Sequence, residues 1–157
     1  DVYKRQIMNQ AHYHLALNHL PIIIPMIGLL VLIGGFLTRS ETVRRTAFLI
    51  FILGALATIP AIGTGDGAEE AVENINGISK ASIHEHEEMA ETFAILSYIL
   101  GIAALTAFWL SWKKSRFARY AAYALVAYSA VVIYFAVQTG NSGGRIRHPE
   151  IIAENAA

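Results

Sequence analysis

The chain has 157 residues, 55% hydrophobic and 15% charged, with 12 basic and 12 acidic side chains and 6 histidines. A mean hydropathy of +0.45 is too high for an ordinary soluble domain, and a formal net charge of zero gives no basic surface for a nucleic acid. With no cysteine in the chain, disulfides, iron–sulfur clusters and thiolate metal sites are excluded.

The opening Asp1-Val2-Tyr3-Lys4-Arg5-Gln6 resembles the translated mosaic-end adaptor of a transposon-based, metagenomic sequencing library. Residues 1–7 are therefore set aside from fold reasoning, and the native start is expected at Met8. Once Lys4 and Arg5 are discounted, no basic region precedes the first apolar helix, so no cleavable signal peptide is expected. Ahead of the first span stand His12, His14 and His19, with Asn18 as the expected N-cap and Pro21 in the first turn, where amides lack helical partners anyway. If residues 12–19 are helical, His12 shares a face with His19 and His14 does not; a kink at the prolines would place His14 as well as His12.

Four stretches approach the roughly 20 apolar residues that cross a hydrocarbon core: 20–37, 46–63, 92–112 and 117–137. They predict an all-α integral membrane four-helix bundle, a single domain over 8–157. Between the second and third spans, Ala68, Ala71, Val72 and Ile75 recur at helical spacing opposite Glu69, Glu70, Glu73 and Asn74. That pattern predicts a short amphipathic helix on the membrane surface, ended by Asn76-Gly77. Ser82 with Glu85 three residues on predicts a capping box, so the third helix should begin near residue 83.

The run His84-Glu85-His86-Glu87-Glu88 then opens that helix, where carboxylates also simply complement the helix dipole. Further along, Ala90, Ala94, Ser97, Gly101 and Ala104 form a stripe of small residues expected to face other helices. Helical phase puts His86 at the edge of that stripe with Glu87 bordering it, and His84 beside Glu88 and Glu91. On the fourth helix Tyr123, Ala127, Ala130 and Tyr134 read as an interhelical packing stripe with hydrogen-bonded tyrosines. The glycine-rich segment Thr139-Gly140-Asn141-Ser142-Gly143-Gly144 is expected to turn back over the bundle mouth and deliver Arg145, Arg147 and His148 to it.

The loops set the orientation. One end carries Arg39, Arg44, Arg45, Lys113, Lys114, Arg116 and Arg119 against Glu41, and is read as cytoplasmic, with Trp109 and Trp112 in its interfacial belt. The other end holds all six histidines and most carboxylates, so it is expected to face outward from a bacterial inner membrane with both termini outside.

His14-Leu15-Ala16-Leu17-Asn18-His19-Leu20-Pro21, Pro60-Ala61-Ile62-Gly63-Thr64-Gly65-Asp66, His84 or His86, and Thr139-Gly140 with Gly143-Gly144 resemble, in their order and their places relative to the spans, the uncharacterised bacterial transmembrane family known as domain of unknown function 2231. The resemblance covers nearly the whole chain from His12 onward. It implies a four-helix membrane fold and a choice of His14 and His19 over His12. It implies no reaction, although relatives fused to Rieske-type domains point to a membrane redox partner. Where the family has an aliphatic and tyrosine stretch before a His-Gly, this chain has Arg145-Ile146-Arg147-His148-Pro149.

Several imidazoles and carboxylates converging on one membrane surface suit a first-row transition metal: zinc, copper, nickel or iron. The expected ligands are His14, His19 and His86, then His84 and His148, with Glu87 or Glu91 supplying oxygen. The alternative is a b-type haem of an electron-transfer protein, with His19 and His86 axial, Arg145 or Arg147 on the propionates, and Gly63, Gly65 and Gly140 making room for the macrocycle. A second alternative is a cofactor-free structural or partner-binding membrane subunit. No specific enzymatic reaction is predicted.

Overall fold

A computed structural model describes residues 2–72 and 78–147, with side chains for all of these but 3, 4, 6–9 and 147. Six helices follow in order: α1 (Val2–Leu17), α2 (Leu20–Leu37), α3 (Glu41–Gly63), α4 (Gly65–Val72), α5 (Lys80–Trp112) and α6 (Ala118–Arg147). There is no strand among the described residues. Four helical stretches are long and apolar enough to cross a membrane, and they contain α2, α3, α5 and α6.

These four close into a ring, α2 on α3, α3 on α5, α5 on α6 and α6 back on α2, while α1 and α4 pack on each other at one end. The interior packs three phenylalanines, Phe48, Phe51 and Phe93, and the aliphatic Leu32, Leu100, Leu125 and Val132 among the alanines Ala47, Ala104, Ala107, Ala122 and Ala136. Many of the large aliphatic residues, such as Leu30, Leu53, Ile102 and Leu105, are exposed instead. That inversion is what a bundle in lipid needs, because small residues let backbones approach and the tails solvate the rest. At Gly101, an added Cβ would stand 2.5 Å from the Ala55 Cβ, so α3 and α5 meet there with no room for a methyl group.

One polar pair lies inside this core. Thr58 and Ser97 share a hydrogen bond of 3.0 Å, and the Thr58 hydroxyl also donates to the Gly54 carbonyl. Because Thr58 keeps that local acceptor, Ser97→Ala is expected to cost only about 0.6 kcal/mol, read from an unfolding titration in micelles.

The structure corrects four local expectations. Asn18 does not cap α2; its amide donates to the His14 carbonyl, which closes α1, and His19 is the residue before α2. The third long helix starts at Lys80 behind an extended Ser79, before the expected Ser82 box. On α6 the buried stripe is Ala122, Leu125, Ser129, Val132, Ala136, Thr139 and Ser142, whereas Tyr123 and Tyr134 are 54% and 59% exposed. Tyr123 nonetheless stacks on Phe36 of α2, and the Tyr134 hydroxyl accepts from Gln138; Tyr128 donates across the bundle to the Leu96 carbonyl. Finally, Thr139–Gly144 is no turn: α6 runs straight through it to Arg147. The reason is continuity, since Thr139 and Ser142 extend the small buried stripe of α6 along α5 and outweigh the low helix propensity of glycine.

Of the short helix expected between spans two and three, Ala68, Ala71 and Val72 lie in α4, whose Gly67 is pressed against Gln10 of α1. Glu73, Asn74, Ile75 and Asn76-Gly77 lie outside the described residues.

Candidate functional site

The histidine end of the bundle is assembled from α1, the end of α3, the start of α5 and the end of α6. On α1, His14 is half-buried and turned toward α3. Its Nδ1 lies 3.0 Å from the Ala61 carbonyl and 3.3 Å from the Thr64 hydroxyl. Ala61 is in the last turn of α3, where carbonyls lack regular helical partners. A carbonyl only accepts, so the bond assigns the proton of a neutral His14 ring to Nδ1 and leaves a lone pair on Nε2.

His86 repeats this arrangement across the bundle. It is half-buried on α5, with Nδ1 2.9 Å from Ser142 Oγ of α6. The Ser142 hydroxyl spends its own proton on the Thr139 carbonyl, 2.9 Å away, so its oxygen accepts from His86. A neutral His86 ring therefore also holds its proton on Nδ1. The neighbouring Thr139 hydroxyl reaches the Met89 carbonyl of α5 at 3.1 Å, fastening α6 alongside. Gly143 explains how α6 comes so near, because a Cβ there would stand 3.0 Å from His86 Cε1.

The two imidazoles lie within electrostatic reach of each other. The side-chain hydrogen bonds of both rings run through Nδ1 among the described residues, and His86 also bonds the Thr139 backbone. Asn18 Oδ1, one helical turn beyond His14, is the buried side-chain atom without a partner among the described residues, where buried polar atoms are nearly always satisfied by protein, water or an ion. Imidazole nitrogens oriented by outer hydrogen bonds are donors that a borderline cation could take.

Other expected ligands stand elsewhere. His19 is exposed at the head of α2. His84 is exposed and pairs with Glu87 and Glu88 at 3.4 and 3.3 Å. Glu91 is exposed, and Arg145 points to Glu85 at 3.5 Å on the surface. Glu85, Glu87 and Glu88 therefore serve surface pairs and do not join the two half-buried rings. Among the described residues no group of three or more histidine or acidic side chains is gathered closely enough to hold a metal ion. His148 and the Arg147 side chain lie outside the described residues. Of the glycines expected to make room for a macrocycle, Gly63 and Gly65 face open space and Gly140 faces Ile22; the one at the His86 ring is Gly143, and it is closely packed.

Sequence reasoning found His86 by phase but missed Ser142, Thr139, Thr64 and Ala61. The signal for the first two was present in the i, i+3, i+7 recurrence of Ser129, Val132, Ala136, Thr139 and Ser142, which carries a helix through the glycines. Compared with known protein families, curated proteins and solved structures, the chain matches none.

Proposed function

We propose that this is a multi-pass protein of a bacterial inner membrane that binds a first-row transition metal ion at its outward-facing mouth, through His14 Nε2 and His86 Nε2. The observation that carries the reading is the matched pair of Nδ1 contacts, to the Ala61 carbonyl and to the Ser142 hydroxyl; a neutral ring that donates from Nδ1 keeps its lone pair on Nε2. This is the orientation that outer hydrogen bonds impose on metal-binding histidines. Zinc, copper(II), nickel and iron all accept imidazole, with water completing the shell. The acidic, histidine-rich end is taken as extracytoplasmic because the opposite end concentrates the arginines and lysines, and α4 as lying at that outer surface. Membership of the transmembrane family that the chain resembles belongs to the same proposal.

Close packing of Gly143 against the His86 ring favours a small ion over a haem, whose macrocycle needs a slot beside its axial ligand. The cofactor-free alternative rests on the same Nδ1 bonds, which tie α1 to α3 and α5 to α6. Elemental analysis of the purified, metal-loaded chain separates the two. Near-stoichiometric metal in the native chain and its loss in His14→Ala/His86→Ala is the expected result. Equal metal content in both proteins rejects the site, and a lowered melting temperature in the variant would then identify the histidines as helix ties. His148→Ala tests a third nitrogen ligand in the same assay.

A further inference from the structure

We propose that the opposite, basic end of the bundle binds the phosphate of an anionic phospholipid headgroup in a preformed cavity between the α2–α3 and α5–α6 turns. A cavity of about 690 Å³ opens there, lined by Arg44, Arg45, Lys114, Arg116 and Arg119 against a single carboxylate, Glu41. That carboxylate is already engaged. Glu41 accepts from Arg44 and from the Ser111 hydroxyl, while Arg45 holds Ser111 through Oγ at 2.6 Å and its carbonyl at 2.7 Å.

The floor of the cavity is thus a saturated network, and the excess charge stands on the rim. Among the described residues no carboxylate pairs with Lys114, Arg116 or Arg119. Arginine forks and a lysine converging from two turns are the donors that phosphate oxygens take. A charge bias that only sets topology has no need to gather in one place, yet five of the seven basic residues of this end share the cavity. Trp109, Trp112, Phe117 and Tyr120 are exposed at the same end. Aromatic side chains of this kind mark the headgroup level, so the phosphate that meets the cavity is that of a lipid.

The purified full-length chain in uncharged detergent, titrated with phosphatidylglycerol or phosphatidylcholine and read by native mass spectrometry, tests this. One phosphatidylglycerol retained per chain, in preference to phosphatidylcholine, is expected. Lys114→Gln/Arg119→Gln should weaken retention roughly tenfold or more. Arg39→Gln/Lys113→Gln removes the same charge from the same end without touching the cavity and should leave retention unchanged. If inorganic phosphate displaces the lipid with the same dependence on Lys114 and Arg119, the anion site stands and its ligand is a soluble phosphate. Equal retention of the two lipids, or equal loss in the two double variants, overturns the proposal.

Discussion

Gly101→Leu is expected to disrupt the bundle, and Gly101→Ala to destabilise it by roughly 1–3 kcal/mol, the usual range for overpacking a tight core. The cause is the 2.5 Å that would separate a Cβ at position 101 from that of Ala55. Neither atom sits on a flexible side chain, so relief requires α3 and α5 to move apart. They are neighbours in the ring, and separating them also strains the Thr58–Ser97 hydrogen bond. Ala55→Gly should restore most of what Gly101→Ala removes, because the pair is in direct contact and its effects do not add. Unfolding midpoints in micelles for the four members of this cycle measure the coupling; two additive substitutions would show that the helices do not meet as described.

The second large effect concerns the histidine end of the bundle. His14→Ala or His86→Ala is expected to lower zinc affinity roughly a hundredfold or more, beyond what loss of an outer hydrogen bond does. His19→Ala and His84→Ala should leave it nearly unchanged, since both rings are exposed and outside the pair. Ser142→Ala removes only the acceptor that fixes the His86 ring, so roughly 10–100-fold is expected. The pH dependence has a definite sign. Metal and proton compete for Nε2, and burial holds both His14 and His86 below the ordinary imidazole range, so affinity should be level across that range and fall only at lower pH. Isothermal titration of the chelator-treated protein at several pH values reads all of these. A binding constant indifferent to His14 and His86 would sink the assignment.

The sequence made the long helices legible because lipid imposes a length and composition on each segment that no later packing revises. It made His86 legible for a related reason: one unbroken α5 joins it to the stripe of Ala94, Ser97, Gly101 and Ala104, all buried. His14 was harder. Phase extrapolated from His19 pointed to His12, whereas His19 itself is exposed and the α1 residue that meets α3 is His14, through the Ala61 carbonyl. The glycines of α6 misled in the opposite direction. Gly140, Gly143 and Gly144 carry the local signature of a turn, and only contact with α5 through Thr139 and Ser142 keeps that segment helical. Ala61 was invisible because its contribution is a carbonyl at the end of a helix, a backbone property that no side-chain pattern encodes.

The placement of α1 has a mechanical consequence. It runs into α2 through a helical His19 and is held on the bundle by its packing on α4 and by the His14 bond to α3. A cation bridging His14 to His86 would add a tie from α1 to α5, so ion affinity and the seating of α1 would be coupled. By reciprocity, a partner that seats α1 would tighten ion binding, and one that draws it away would weaken it.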